Sequence, residues 1–266
     1  MSFSFRTALY AFAALITLYA PQAMAGVTIT PNTLVIEGNQ RYADITLVNG
    51  GTETNTYEMG WKFFRQTEGT GRYQKVDGSN TPFDLTQNMV FTPKRITLVP
   101  GKAQKVRLAL RLKGELPPLG DYRGHFELRE ATEADPSSVD GKPKVGVHIR
   151  VGFTIPVIYR VGQSDATATI GKVSTQIGKN GKIEAVIPVT KSQSAYGILG
   201  DLAVFHNDEQ VGGVANANIF PEITSRTFTV PLTAKDLSSG TLRIVYRDRD
   251  ETKNMTYAQK SIPIGR

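Results

Sequence analysis

The sequence predicts an all-β chain built as two consecutive β-sandwiches. Three observations carry this expectation. Short runs of β-branched and aromatic residues alternate with polar ones along nearly the whole chain. Gly, Asn, Asp and Pro punctuate these runs about every eight to twelve residues, the spacing typical of sandwiches. No stretch shows the period of an amphipathic helix.

The N-terminus comes first. Arg6 is the only charge before an apolar run over residues 8–20, which ends at Pro21 and leads to Ala23-Met24-Ala25. A basic start, an apolar run and small residues at a cleavage site read as a secretory signal peptide over residues 1–25. The run is shorter than the ~20 residues of a membrane-spanning helix. No later stretch is long and apolar enough to span, so the mature chain is expected to be soluble. Removing 25 residues from 266 leaves 241, which suits two domains of ordinary size.

Strands are expected over residues 27–29, 34–36 and 43–48, with Asn49-Gly50-Gly51 as a turn. Residues 57–64 follow and contain the single tryptophan, Trp61. A polar excursion over 65–80 has Gly69-Thr70-Gly71 as a hairpin tip, since no Lys-Ser or Lys-Thr follows as a phosphate-binding loop requires. Residues 89–98 read as one strand, Pro100-Gly101 as a turn and 103–112 as a strand alternating through Val106, Leu108 and Leu110. After the Pro117-Pro118 break come a strand at 122–129, a loop at 131–144 and a long strand at 145–159. A composition shift at 161–165 places the boundary between domains 26–162 and 163–266. Beyond it, strands are expected at 168–173, 182–190, 200–206, 226–232, 241–246 and near Ile262.

Composition removes several function classes. With 0 cysteines, disulfides, thiol catalysis and cysteine metal sites are excluded. The formal charge of +7, or +6 without Arg6, is scattered at strand spacing rather than gathered in a block. Export argues against nucleic acid as a partner. His125, His148 and His206 lie too far apart in sequence to suggest a metal pair. There is no G-x-S-x-G elbow, although a Ser-His-Asp set can assemble in space from any sequence. The chain reads as a non-enzyme with no cofactor and no metal.

The long strand is the most informative segment. Its odd positions are Val145, Val147, Ile149, Val151, Phe153, Ile155, Val157 and Tyr159, all apolar or aromatic. Its even positions, from Gly146 to Arg160, are mostly small or polar. Side chains alternate faces, so one face is an apolar row and the other is slim and wet. At about 3.3 Å per residue the row is on the order of 50 Å long. Pro156 lacks the donor a central ladder needs and points to an edge or a bulge. Alternation alone leaves two readings: an edge that adds a strand to a partner, or a long core strand.

Residues 88–112, N-M-V-F-T-P-K-R-I-T-L-V-P-G-K-A-Q-K-V-R-L-A-L-R-L, resemble the mid-domain signature of the periplasmic chaperones of chaperone–usher pilus assembly. There a P-x-R-φ-x-L stretch leads to P-G and then to a strand carrying V-R. Leu116-Pro117, Asp121-Tyr122-Arg123 and residues 126–130 resemble that family's next strand. Residues 155–160, I-P-V-I-Y-R, resemble the ending of the last strand of its first domain. The likeness covers most of residues 26–160.

The resemblance implies two immunoglobulin-like β-sandwich domains and a periplasmic location. It also implies pilin or fimbrial subunits and an outer-membrane usher as partners, with subunits held on the last strand of domain one. The implied subunit-binding row is Val147, Ile149, Val151, Phe153 and Ile155. An interdomain salt bridge would join Asp121, Arg160 and Asp248. The family's cationic anchor for the subunit carboxylate is missing, because the matching positions are Thr33 and Pro156 or Thr154. Arg41 and Arg150 are the candidate replacements. The rival reading is a secreted structural or adhesive sandwich, with Tyr57, Trp61 and Phe63 as a carbohydrate platform instead of core.

Overall fold

The computed structural model describes residues 26–77, 81–112, 116–131, 152–233 and 237–264. They form two β-sandwiches, each with its own apolar core, and the described residues contain no α-helix.

The first sandwich comprises β1 (Val27–Thr30), β2 (Leu34–Glu37), β3 (Tyr42–Asn49), β4 (Asn55–Lys62), β5 (Phe64–Gln66) and β6 (Tyr73–Lys75). It continues with β7 (Met89–Thr92), β8 (Arg95–Leu98), β9 (Ala103–Leu110), β10 (Gly120–Glu130) and β11 (Gly152–Val161). One sheet has the order β1-β3-β9-β7 and the facing sheet β2-β11-β10-β4-β8. The first is the A-B-E-D order of an immunoglobulin domain, and β11-β10-β4 is its G-F-C.

Period-two patterning builds this core. In β3, Ile45 and Leu47 point inward; in β9, Val106, Leu108 and Leu110 do the same from the neighbouring strand. Phe126, Leu128 and Val157 answer from the opposite sheet, all without solvent exposure. The single strand expected at 89–98 is in fact two. β7 pairs with β9 in one sheet and β8 with β4 in the other, with Pro93 between them. Pro31 likewise separates β1, which pairs with β3, from β2, which pairs with β11. Proline supplies no N–H, so a ladder ends there readily and the chain can change sheets.

The second sandwich holds β12 (Ala168–Ile170), β13 (Ser174–Ile177), β14 (Ile183–Lys191), β15 (Gly200–His206), β16 (Glu209–Val214), β17 (Ser225–Pro231), β18 (Gly240–Asp248) and β19 (Thr256–Ile264). β12 and β13 pair with one side of β14 and β17 with the other, facing the sheet β16-β15-β18-β19. In immunoglobulin terms these are A-B-E against C′-C-F-G. β13 and β16 have too little alternation for sequence to mark them: all four residues of β13 are exposed, and β16 carries Gly212-Gly213. A small third cluster of Ile158, Leu199 and Phe220, with Val35 against it, lies between the sandwiches.

Candidate functional site

β11 is unevenly partnered. Along its whole length, Gly152 to Val161, it pairs antiparallel with β10. On its other side β2 runs parallel to it only from Val157↔Leu34 to Arg160↔Glu37. Residues 152–156 therefore have one strand neighbour, and their outward backbone groups have no ladder partner among the described residues. Pro156 stands at the last position before β2 begins. That fits its chemistry, since it would leave a gap in a two-sided ladder.

The side chains of β11 divide differently from the expected apolar and wet faces. Ile155, Val157 and Tyr159 belong to the first core, at 5%, 0% and 1% exposure. Ile155 is thus packed into its own sandwich rather than standing in an exposed row. Phe153 is half-buried at the margin of the same core. Val147, Ile149 and Val151 lie outside the described residues, as does Arg150. The even face is not wet at its C-terminal end: Ile158 packs on Leu199 and Phe220, and Arg160 is 7% exposed.

Arg160 fixes the junction between the sandwiches. Its Nε and Nη2 donate to the two oxygens of Asp121, both at 2.7 Å, in a buried bidentate pair. From the second sandwich the Gly197 N–H donates to Asp121 Oδ2 at 2.9 Å, and Arg160 Nη2 reaches the Gly197 carbonyl at 3.3 Å. Burial opposes the Arg160 charge, but the Asp121 carboxylate outweighs it and raises the guanidinium above its ordinary pKa. Tyr196 adds a bond from its hydroxyl to the Val161 carbonyl at 2.6 Å. Gly162, at φ +86°, has no room for a side chain, because a Cβ would lie 2.7 Å from that hydroxyl.

The third member expected in this network, Asp248, does not join it. Its carboxylate accepts from the Tyr257 hydroxyl at 2.5 Å and the Asp250 N–H at 2.8 Å, and it makes no ion pair with Arg160 among the described residues. Burial and this bond to Asp248 hold the Tyr257 phenol above its ordinary pKa. The second sandwich thus reaches Asp121 through backbone and not through an acid. The loop carrying Tyr196 and Gly197 has no periodicity, so sequence reading had no handle on it.

Between the sandwiches lies a cleft with two adjoining hollows of about 440 and 380 Å³, both bordered by Glu37, Arg160, Asp248 and Lys253. Its cationic side chains have local partners. Lys253 lies 3.8 Å from Glu37, and Arg249 donates to Asn216 Oδ1 at 2.8 Å and Asn32 Oδ1 at 3.2 Å. Thr33 is buried and donates to Asn216 Oδ1 at 3.4 Å. Arg41 is exposed, with Nη1 donating to the Gln40 carbonyl at 3.2 Å and the Tyr159 hydroxyl at 3.4 Å.

The aromatic platform is not present. Tyr57 and Phe63 are buried at 3% and 4% exposure. Trp61 packs edge-on against Phe91 and Phe126, with centroids 5.8 and 5.5 Å away. Tyr57 and Trp61 belong to the first core, and Phe63 packs edge-on against His125 with the Arg123 guanidinium over its ring. Among the described residues no group of three or more His, Asp or Glu is placed to hold a metal ion, and no helix is long and apolar enough to cross a membrane.

No family model matches the chain, and no curated protein does. Among solved structures it is similar to the E. coli chaperone DraB, at 14% identity over 90% of this chain and 96% of that one, with a TM-score of 0.46. It is also similar to a structure from the CsuC–CsuE chaperone–tip subunit pre-assembly complex of the archaic chaperone–usher Csu pili of Acinetobacter baumannii. There the identity is 14% over 91% of this chain and 99% of that one, with a TM-score of 0.47. A third likeness is to the Salmonella enterica complex of the SafA pilin with the SafB chaperone, at 11% identity over 90% and 96%, with a TM-score of 0.45. At this level of likeness the functional argument rests on the residues of this chain.

Proposed function

We propose that this chain is a periplasmic chaperone that holds pilus-type subunits by lending them the uncovered edge of β11, and passes them to an outer-membrane usher. The observation that carries the reading is the half-open ladder at residues 152–156, where an apolar alternating row arrives from the N-terminal side. Proteins ordinarily cover or charge such an edge, because unpaired backbone groups recruit foreign strands. Here the edge carries Gly152, Thr154 and Pro156 and no charge.

A subunit strand laid along this edge gains backbone bonds, and pockets for alternate side chains set its register. Val147, Ile149 and Val151 are the side chains proposed to enter the subunit, with Phe153 at the limit of the contact. Each apolar side chain so buried contributes roughly 1.5–3 kcal/mol before the costs of association. Arg41 and Arg150 remain the proposed partners for a terminal carboxylate, because Arg160 in the cleft is bound to Asp121. A guanidinium accommodates a carboxylate in paired bonds.

The test is co-expression with a small pilus-type subunit encoded beside this chain. A soluble one-to-one complex is expected with the unaltered chain. Ile149→Asp and Val151→Asp should abolish the complex while leaving the chaperone's thermal transition in place. If the subunit stayed soluble and bound to both variants, strand lending would be wrong.

A further inference from the structure

The β5–β6 hairpin makes an extensive set of contacts outside its own sandwich. Gln66, 1% exposed, donates its backbone N–H to Glu222 Oε1 at 2.8 Å and its side-chain amide to the Asn218 carbonyl at 3.1 Å. Its side-chain oxygen accepts from the Phe220 N–H at 2.8 Å. At the tip, the Gly69 N–H donates to the Ser225 carbonyl at 3.0 Å and the Gly69 carbonyl accepts from the Thr227 N–H at 2.7 Å. The hairpin tip thus forms a short parallel bridge to the start of β17. Glu68 accepts from the Thr224 N–H, the Thr224 hydroxyl and the Ser225 hydroxyl at 3.0, 3.1 and 2.6 Å. Gly71, at φ +62°, lies against the Arg226 side chain so closely that a Cβ would sit 2.3 Å from its Nε.

Beneath the hairpin, β10 supplies a second row of contacts on the face that carries Asp121. Arg123, 1% exposed, forms a bidentate pair with Glu222, with its Nη1 at 2.8 Å from Oε2, and packs over the Phe220 ring at 4.2 Å. Two residues on, His125 is enclosed by the rings of Phe63, Phe64, Tyr73 and Phe220. None of these bonds involves Arg160, Gly197 or the connector between the sandwiches.

We infer that the β5–β6 hairpin is a clasp that holds the two sandwiches at one fixed angle, independently of the Asp121–Arg160 junction. Two bodies joined by one short connector and a modest, largely polar contact rock about that contact, and relative motion is the ordinary expectation for such pairs. A further attachment, made by a different element and reaching from Asn218 to the start of β17, restricts the remaining rotation. The polar character of the clasp suits this role. Directional bonds to Gln66 and Glu68 are satisfied in one arrangement only, whereas an apolar patch tolerates sliding. The inference does not depend on strand lending.

Distance measurement between two spin labels on the full chain tests it. The chain has 0 cysteines, so Lys105→Cys on β9 and Lys179→Cys after β13, both exposed, give two unambiguous labels. The unaltered clasp should give one narrow distance distribution. Gln66→Ala combined with Glu68→Ala should widen it roughly twofold with the circular dichroism spectrum unchanged. Glu68→Ala alone removes only contacts at the exposed tip; it should widen the distribution less and decides the matter if the double variant does not fold. A width unchanged by Glu68→Ala and by any folded double variant overturns the clasp.

Discussion

Residues 152–156 and 157–161 belong to one strand, continue one alternation and share one neighbour, β10. They differ in what lies on their other side. β2 runs along the second half and nothing described runs along the first. The second half is consequently buried on both faces, with Val157 and Tyr159 in the first core and Ile158 and Arg160 against the second sandwich. The first half has Gly152 and Thr154 exposed and Phe153 and Pro156 half-buried. A strand's pattern therefore sets which residues share a face, while the neighbouring strand decides whether its backbone is available to another chain.

The contrast can be broken most severely at Val157, which is 0% exposed. Val157→Asp places an unpaired carboxylate in the core and should cost more than ~4 kcal/mol, unfolding the first sandwich in a denaturant titration. Ile158→Ala removes the centre of the small cluster between the sandwiches. It should lower the unfolding free energy by about 2–4 kcal/mol, the range for buried aliphatic truncation.

The boundary between the two halves sharpens the comparison through pH, because Pro156 is paired with His125. Burial first, and the neighbouring Arg123 cation second, press the His125 imidazole down to about 3. It accepts from the Phe64 N–H at 3.3 Å through Nδ1, and its Nε2 has no hydrogen-bond partner among the described residues. Glu222 and Tyr73 are the other titratable groups facing this cluster. Between the unfolded pKa near 6.5 and the folded value, the unfolded chain binds a proton that the folded chain does not. Stability should therefore be fully present above about pH 6.5 and fall as pH drops towards 3, by an amount on the order of 5 kcal/mol. His125→Phe should show a shallower loss over that window in pH-dependent denaturant titrations. An identical slope in both proteins would assign the effect to the carboxylates instead.

The smallest effect belongs to the open half. Thr154 is exposed and has one strand neighbour. Thr154→Val should change the unfolding free energy by less than ~0.5 kcal/mol. A loss comparable to that of Ile158→Ala would mean that the edge is covered by part of this chain.

Much of this was legible in the residues. Alternation in β3, β9 and β10 marked their inward faces, because a strand repeats every second residue and a one-sided core selects one parity. The Tyr159-Arg160 ending and Asp121 pointed to the pair that closes the junction, and the geometry is bidentate. Asp248 was misplaced because an acid near the right place in sequence carries no information about which donor it meets. Here Tyr257 and Asp250 take it.

What the sequence determined by itself was the class of the elements and the parity of their faces, both local consequences of residue period and turn chemistry. What only the tertiary structure decided was which backbone edges have partners and which faces meet the second sandwich. The odd residues Asp121, Arg123 and His125 look in sequence like an ordinary polar strand face. They are buried because Phe220 and Glu222 in the loop before β17, the loop at Gly197 and the β5–β6 hairpin close over them. Those contacts join residues on the order of a hundred positions apart, and no local pattern specifies them.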